Sequence, residues 1–575
     1  MNSNLRYILI LILLFSVSAL FAQENGDGDD DNLGTQTVII YNEYTPVLKD
    51  AERMEFLPEI VDTIKVTPEF EYNVNPTMFK TTFHPTPITA ASVKGEPLQR
   101  LDNGMIKLGM GNYLSPFVEV YYNSKREKYF SVGAFAKHHS AHGTIKNVAD
   151  QKIYGGYNNN NVKAYGKKFL RKGTLNGEID FSSDQVYFYG YDPYLDVDAS
   201  IVKPRDRAEI EMQRYNRLNA KVGVESNNTA KNRMDYELLL NYQYFFTFSG
   251  DTQHKIKFDA DLSKLIQSNR FGLDAGVEYN KNVFDSAGFI GAIADYDEVF
   301  LDLDPYFEHY TDDWQIKLGV KTTGEFIDGV SEYHIYPDIQ FQHNISNTII
   351  PYAGFKGYLQ NNNFESLSII NPFINRNNNY RPTNFAQVID VGLKGNISKN
   401  LYFHINGNYS KIDNMGFFVN DTLLDLDNKF ILDYTNVERF SGYGEFALRN
   451  MGDFSFILKG HYYYYSYIKN REKPWHLPTF DVLLKTKYQF NENLNFGFDA
   501  GVLSTRFAKE FDDAGNIVEK KLNPVIDLNL FAEYEFASNF NAFIYLNNLT
   551  GQKQYYWNNY QSQGFNFMLG LKYLF

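Results

Sequence analysis

The chain has 575 residues, a formal net charge of −14 at pH 7, 17% aromatic residues and no cysteine. The acidic balance argues against nucleic acid as a partner, because nucleic-acid-binding proteins neutralise phosphates with Lys and Arg. The lack of cysteine excludes disulfides, a lipidated cysteine anchor and thiolate metal sites. Abundant Tyr and Phe beside a mean hydropathy of −0.40 favour a membrane β-barrel, in which half of each strand is polar and aromatic rings lie at both interfaces.

Residues 1–22 are predicted to be a secretory signal peptide. Arg6 precedes an apolar run, Tyr7–Phe15, which is too short to cross a bilayer and is followed by small residues. Cleavage is expected after Ala22, with Ala19 as the alternative, and a buried N-terminal helix is the other structural interpretation. Beyond this run no stretch of about 18 apolar residues occurs, so the sequence predicts no membrane-spanning helix.

Residues 23–103 are predicted to be an extended segment in the periplasm or in the barrel lumen. They contain seven of the 18 prolines and open with an acidic tract, Glu24–Asp31. Proline removes a backbone donor and fixes φ, so a separate globular core is not expected here. The dispersed apolar side chains suit either the mouth of the barrel or a protein partner that is bound by strand addition.

From Gly104 to Phe575 the pattern changes to alternating apolar and polar residues, which predicts strands with one apolar face. Ten short polar turns are expected to connect pairs of strands. With a first strand near Gly104–Met110 and a last one at Phe565–Phe575, the count is about 22 strands, within a range of 18–22. The predicted turns lie near Ser124, Ser183, Asn228, Ser268, Asp312, Ser346, Ser398, Gly452, Asn491 and Ser538.

The last strand shows the alternation most clearly. Six large apolar side chains share one parity and should face lipid, whereas Asn566 and Lys572 have the other parity and should face the lumen or its rim. The terminal Phe575 also resembles the C-terminal signal by which bacterial outer-membrane barrels are recognised for insertion. The six residues are Phe565, Phe567, Leu569, Leu571, Tyr573 and Phe575.

The longest gaps between predicted strands should be extracellular loops. They span 138–169, 360–381 and 549–563. Both ends of the barrel chain should then lie on the periplasmic side of the membrane.

No residue pattern in the chain predicts catalysis, a cofactor or a metal. His138, His139 and His142 lie near a strand end, but neighbouring residues of a strand point to opposite faces, so a polar loop base is the favoured interpretation. Asp295, Asp297, Asp302 and Asp304 lack the spacing of a calcium loop. No serine has a nucleophile-elbow context, so the chain is not expected to be an enzyme.

The C-terminal region resembles that of TonB-dependent receptors. The stretch Leu546–Lys553, then Tyr555–Trp557, then Gly564–Phe575 is similar to the last hairpin of those barrels, and the signal ending in Phe21-Ala22-Gln23 resembles signals of Bacteroidota. That family carries a folded plug of well over a hundred residues before the barrel. Residues 23–103 are too few for one, so the resemblance implies a plugless relative.

A short stretch of the N-terminal segment also resembles the TonB box, the extended piece that TonB captures by strand addition. An ordinary extended piece of linker is the alternative. The stretch consists of Asp62, Thr63, Ile64, Lys65, Val66 and Thr67.

Two functions remain open from the sequence. The first is solute passage across the outer membrane, because a barrel of about 22 strands is too wide to be filled by its own side chains. The second is a non-transporting subunit of an outer-membrane complex that docks partners through residues 23–103 and its loops. In both cases the expected partners are outer-membrane lipid and, during insertion, the barrel-assembly machinery.

Overall fold

The computed structural model describes residues 102–575 except 126, 148, 195–202, 228–233, 286–293, 347, 425, 467–472 and 513. Within this part, 22 antiparallel strands form one sheet, and six further strands pair in loops. In chain order the strands are β1 (Gly104–Gly111), β2 (Ser115–Asn123), β3 (Phe130–Ala141), β4 (Thr144–Lys146), β5 (Lys152–Tyr154), β6 (Tyr157–Phe169), β7 (Gly173–Tyr187), β8 (Met212–Ser226), β9 (Met234–Thr247), β10 (Thr252–Ile266), β11 (Asn269–Val283), β12 (Tyr296–Tyr310), β13 (Trp314–Ile327), β14 (Val330–His343), β15 (Ile349–Gln360), β16 (Thr383–Asn396), β17 (Leu401–Asn420), β18 (Phe430–Met451), β19 (Phe454–Ser466), β20 (Phe480–Gln489), β21 (Leu494–Leu503), β22 (Arg506–Phe511), β23 (Ile517–Leu522), β24 (Val525–Ala537), β25 (Phe540–Asn547), β26 (Tyr555–Trp557), β27 (Tyr560–Gln561) and β28 (Asn566–Leu574).

The sheet closes because its first strand pairs with its last. β1 and β28 are antiparallel, with Met105 opposite Leu574 and Gly111 opposite Met568. A closed sheet has no open edge strand, so each barrel strand has a hydrogen-bonded neighbour on both sides. We call the end where β1 begins and β28 ends the terminal end, and the opposite end the loop end. The prediction of an antiparallel barrel with about 22 strands is confirmed.

Each barrel strand presents apolar side chains outward and polar side chains to the lumen. On β14 the outward Tyr333 and Ile335 are 74% and 75% exposed, whereas the inward Tyr336 and Asp338 are 4% and 3% exposed. Such an apolar outer belt around a polar interior is typical of barrels that span a membrane. Among the described residues, no helix is long and apolar enough to cross a bilayer.

The barrel strands are joined by ten short turns at the terminal end, the number that the sequence predicts, and by loops at the other end that are mostly longer, the exceptions being 112–114, 248–251 and 328–329. The predicted turn near Ser183 is wrong, because Ser183 lies within β7 and the turn is at 170–172. Ser183 donates a hydrogen bond to Asn216 Oδ1 on the neighbouring strand at 2.8 Å. A polar cross-strand pair therefore occupies a position that resembles a turn in the sequence.

The predicted loop at 138–169 is also wrong in its bounds. β3 continues to Ala141 and β6 begins at Tyr157, so the loop is only 142–156. The asparagines of β6 resemble a loop in sequence but face polar partners across the sheet, and Asn161 Nδ2 donates to Asp180 at 3.0 Å. The other two predicted loops are confirmed at 361–382 and 548–565.

Candidate functional site: the loop-covered lumen

The loop between β15 and β16, residues 361–382, folds into the lumen and carries a seven-residue helix, Phe364–Ile370. Asn363 caps the helix. Its side-chain oxygen accepts from the Ser366 N–H at 2.9 Å, and the Ser366 hydroxyl accepts from the Asn363 N–H at 3.0 Å. This reciprocal capping satisfies donors that would otherwise be lost at the helix start. The helix is therefore a defined element, which we call the loop helix.

A buried ion-pair network joins the loop helix to the barrel wall. Arg217 on β8 donates from Nε to Glu365 at 3.0 Å and from Nη1 to Asp184 on β7 at 2.9 Å. Its Nη2 donates to Ser368 Oγ at 2.8 Å. Removing one partner of a buried pair costs about 3–5 kcal/mol, because the remaining charge is left without compensation. Arg217 therefore fixes the position of the helix in the lumen.

Aromatic side chains pack the same contact. Phe364 lies edge-on to Tyr215 and Phe245, two inward residues of β8 and β9, at ring distances of 6.0 and 5.6 Å. Tyr215 also donates its hydroxyl to the Pro372 carbonyl at 2.8 Å. Aromatic contacts of this type add stability beyond the area that they bury. The buried members of this cluster are Tyr215, Phe245, Phe364, Leu367, Ile374, Phe418, Phe430 and Tyr560.

The remainder of the segment 361–382 reaches across to the strands and loops on the other side. Phe373 stacks on Tyr560, which lies in the loop 548–565, with ring centroids 3.5 Å apart. Residues 373–375 pair with the start of β18 through main-chain bonds of Phe430. Arg376 donates to the buried Asp251 at 3.0 Å. The segment is thus held at both ends and forms a cover over the lumen, which we call the loop cover.

Buried polar groups connect three neighbouring loops, one of which contacts the loop cover through Tyr560. His476 donates from Nδ1 to the Phe418 carbonyl at 2.9 Å, and its Nε2 accepts from the Asn558 N–H at 3.2 Å. Arg506 on β22 donates to the Tyr556 carbonyl at 2.8 Å. Because these bonds satisfy groups that water cannot reach, they couple the loops 467–479, 504–524 and 548–565 to one another.

Burial shifts the pKa values of two titratable groups in these loops. Desolvation lowers the pKa of His476 to about 4, so its ring is neutral at pH 7, as the accepted Asn558 bond requires. Desolvation raises the pKa of Asp427 to about 6, with a further contribution from the carboxylates of Asp421 and Glu510. The charge state of this region therefore changes between about pH 4 and pH 6.

Below the loop cover, the lumen contains a recess of about 780 Å³ against the inner wall of β13 to β19. Its lining is polar and aromatic, and several of its cations have acidic partners, such as Lys356 with Asp390 at 3.3 Å and Lys317 with Asp338 at 2.9 Å. A recess with paired charges and amide side chains can hold a polar solute. The side chains that line it include Gln340, Gln342, Tyr352, His404, Asn406, Asn408, Arg439, Tyr443, Lys459, His461 and Tyr463.

The inner wall of β9 to β12 is distinctly acidic. Cross-strand register places Asp261 opposite both Glu237 and Asp274, and Asp274 opposite Asp304. Acidic residues on this face outnumber basic ones, so this side of the lumen favours cations. The inward acidic residues are Asp235, Glu237, Asp259, Asp261, Asp274, Glu278, Glu298, Asp302, Asp304 and Glu308, and the inward basic residues are Lys255, Lys257 and Arg270.

The structure places the residues of the predicted last strand on both faces of β28. Phe567, Leu569 and Leu571 are exposed on the outer surface, whereas Met568 is buried and Lys572 forms an ion pair with Glu533. The stretch Asp62–Thr67 lies outside the described residues.

The predicted histidine group does not converge. His138 Nδ1 is 2.7 Å from Asn160 Oδ1, His139 lies 3.2 Å from the Tyr157 hydroxyl and His142 lies 3.2 Å from the Tyr154 hydroxyl. Sequence reasoning missed the residues that hold the loop cover, because contacts such as Arg217 with Glu365 join positions far apart in the chain. The only sequence signal was a long loop rich in Asn and aromatic residues.

Comparison with known proteins gives structural matches alone, since no protein-family model and no curated protein sequence matches the chain. The pyoverdine outer membrane receptor FpvA from Pseudomonas aeruginosa PAO1 matches with a TM-score of 0.62 and 12% identity, over 83% of this chain and 79% of that chain. The FrpB iron transporter from Neisseria meningitidis (F5-1 variant) matches with a TM-score of 0.64 and 9% identity, over 83% of each chain. The ferric-catecholate import receptor Fiu from K12 E. coli matches with a TM-score of 0.61 and 11% identity, over 83% of this chain and 82% of that chain.

These matches define the fold of the chain. It is a closed 22-strand antiparallel barrel, and the matched proteins that share it are receptors and transporters. The predicted outer-membrane location agrees with this fold. At these identities the likeness concerns the fold, and solute and mechanism are a separate question.

Proposed function

We propose that the chain is an outer-membrane importer of the TonB-dependent-receptor type whose lumen is closed from outside by the loop cover. The loop end faces the exterior and the terminal end faces the periplasm. The observation that carries this proposal is the anchoring of the segment 361–382 inside the lumen by Arg217, Glu365 and Ser368. A loop without function would gain little from a buried ion pair, since such pairs add little net stability.

The recess under the cover is the place for the solute. It contains carboxylates, ammonium groups, amides and tyrosine rings within one volume, which suits a polar solute with both donors and acceptors. Access from the loop end requires the loop cover to move, and Phe364 and Leu367 belong to the buried cluster that anchors this cover to β8 and β9. The cover therefore acts as the gate, and the buried network sets the free energy needed to open it.

Residues 23–103 belong to this proposal as the periplasmic segment, with Asp62–Thr67 as the stretch that TonB captures by strand addition. The outer face of β28, with Leu569 and Leu571, is the lipid-facing surface and insertion signal. A plugless barrel of Bacteroidota type fits the proline-rich composition of residues 23–103 and the form of the signal peptide.

The test replaces the arginine that holds the cover. Arg217→Met should raise ion conductance of the purified protein in planar bilayers, because Glu365 loses its buried partner and the helix leaves the wall. Arg214→Met is the matched control, since Arg214 lies on the same strand and donates to Gln185 rather than to the helix. Heat-modifiable gel migration shows that each variant forms a barrel.

Equal conductance of Arg217→Met and the wild-type protein, with both barrels folded, would contradict the gate. Conductance near zero in both forms would instead favour the non-transporting subunit that docks partners through residues 23–103. The same measurement therefore separates the two functions that the sequence leaves open.

A further inference from the structure

Three metal-ligating side chains converge at the loop end of the β13–β14 hairpin. Glu325 Oε2 lies 3.2 Å from His334 Nε2, and Glu332 Oε2 lies 3.9 Å from the same nitrogen. All three ligand atoms lie within 4.8 Å of one another. Tetrahedral zinc with ligands at 2.0–2.1 Å separates neighbouring ligand atoms by roughly 3.3 Å. The Glu325–His334 distance matches this spacing, and the exposed Glu332 side chain would close on the ion from 3.9 Å.

The hairpin places two carboxylates beside a single imidazole, which is within hydrogen-bond distance of Glu325. Glu325 and Glu332 are direct cross-strand partners, and like charges in that position are destabilising. Within the described part of the chain, neither carboxylate has a Lys or Arg nitrogen within 4.0 Å. A divalent ion between the two carboxylates would remove their repulsion.

The imidazole is held in a defined orientation. The His334 ring is parallel to the Tyr336 ring, with centroids 6.1 Å apart and an interplanar angle of 2°. Tyr336 in turn donates its hydroxyl to Asn384 Oδ1 at 2.8 Å. The Tyr336 ring thus restricts the orientations that the His334 imidazole can take.

Access and local charge also suit a cation. The Glu325 and His334 side chains are mostly shielded at 13% and 15% exposure, whereas Glu332 is 63% exposed and open to solvent. Asp302, one strand away, accepts from the Thr323 hydroxyl at 2.6 Å and belongs to the acidic wall of the lumen. That wall attracts cations toward the site.

We propose that Glu325, Glu332 and His334 bind a divalent transition-metal ion at the rim of the lumen, with Zn²⁺ as the best fit. Two carboxylates and one imidazole suit Zn²⁺ and its first-row neighbours, whereas Ca²⁺ and Mg²⁺ prefer oxygen ligands alone. Water completes the coordination on the exposed side. The ion fixes the tip of the hairpin by joining its two strands, independently of any role of the loop cover.

The test uses Co²⁺ as a spectroscopic probe and Zn²⁺ as a competitor, with the full-length protein in detergent. The wild-type protein should bind one Co²⁺ per chain, with visible absorption that Zn²⁺ abolishes and excess Mg²⁺ does not. Glu325→Gln and His334→Gln should each weaken binding by at least about tenfold, since even outer partners of metal ligands contribute that much. His343→Gln, on the same strand but at the terminal end, is the matched control and should bind as the wild type does.

Thermal unfolding supplies a second readout. Zn²⁺ should raise the thermal unfolding midpoint of the wild-type protein and of His343→Gln, because an ion that binds only the folded state stabilises it. The unfolding midpoint of Glu325→Gln should be the same with and without Zn²⁺. If Glu325→Gln or His334→Gln does not migrate as a folded barrel, Co²⁺ binding by Glu332→Gln is the deciding measurement, because the Glu332 side chain is exposed and its replacement should not disturb folding. Absence of saturable binding, or equal binding by Glu332→Gln and the wild type, would overturn the proposal.

Discussion

At the residue scale, burial decides the charge of two side chains around the loop cover, and the two respond to pH in opposite directions. His476 is held neutral between the Phe418 carbonyl and the Asn558 N–H. Asp427 is a half-buried carboxyl near the carboxylates of Asp421 and Glu510. At neutral pH, the uncharged His476 stabilises the packed loops, which we call the covered state, whereas the charged Asp427 destabilises them.

Asp427→Asn should stabilise the loops at pH 8 and have little effect at pH 4. The pKa of Asp427 is raised to about 6, so the covered state loses stability as pH rises from the unfolded value near 4 through 6. Asparagine removes the charge and tolerates the positive φ of 49° at this position. Hydrogen exchange of the peptide covering 421–429, compared with the wild type at the same pH, measures the effect. Faster exchange in the variant at pH 8 would contradict it.

The opposing response of His476 becomes visible once Asp427 is neutral. Its folded pKa of about 4 lies below the unfolded value of 6.5, so the covered state binds fewer protons and loses stability as pH falls from 6.5 through 4. In the Asp427→Asn protein, bilayer conductance should therefore rise on acidification. Adding His476→Asn should remove most of that pH dependence. An unchanged profile in the double variant would show that another group is responsible.

At the scale of elements, the sequence predicts the strands better than the loops, for a physical reason. Alternation is dictated locally wherever one face of a strand is apolar, so β1, β21, β24 and β28 could be predicted from parity alone. Strand ends beyond the apolar belt need no apolar face, and the Asn-rich start of β6 and the segment around Ser183 therefore resembled loops. The loop cover could not be predicted, because Phe364 meets Tyr215 only after the barrel has closed.

The outward face of β28 gives a quantitative test of this parity. Leu569→Arg should cost roughly 2–4 kcal/mol if the residue lies near the bilayer midplane, because a charge would then face lipid. The inward Asn408→Arg, whose position lines the recess, should cost much less. Gly570 is unsuitable as the control, because a Cβ there would collide with the Leu108 carbonyl and the Phe543 ring. Urea unfolding in lipid vesicles measures the free energy of unfolding of both variants. An equal loss of stability in Leu569→Arg and Asn408→Arg would mean that the outward and inward faces are wrongly assigned.

At the scale of the whole molecule, the lumen wall is electrically uneven. The acidic face of β9 to β12 lies to one side, and the recess with its Lys and His side chains lies on β13 to β19. A charged solute that passes the cover would thus meet a field across the lumen as well as along it. Orientation of the solute, and not merely its size, should then affect passage.

Deletion of residues 24–95 should leave a closed, heat-modifiable barrel. The closing contact between β1 and β28 involves residues 105–111 and 568–574, which the deletion does not touch. Conductance should increase if the deleted segment occupies the lumen, and co-purifying partners should be lost if it is a docking arm. Failure to form a barrel, seen as loss of heat-modifiable migration, would contradict the assignment of 104–575 as the barrel.

The pairing of β1 with β28 has a consequence for biogenesis. All other pairs of barrel strands are formed by strands that follow one another in the chain. The pair of β1 (Gly104–Gly111) with β28 (Asn566–Leu574), which we call the seam, joins the two strands that are most distant in the chain. The cylinder cannot be sealed until β28 has arrived, however early the first hairpins form. An unfinished chain would expose two unpaired edges, which are templates for aggregation and for recognition by proteases. Closure of the barrel at the seam therefore requires the complete set of strands.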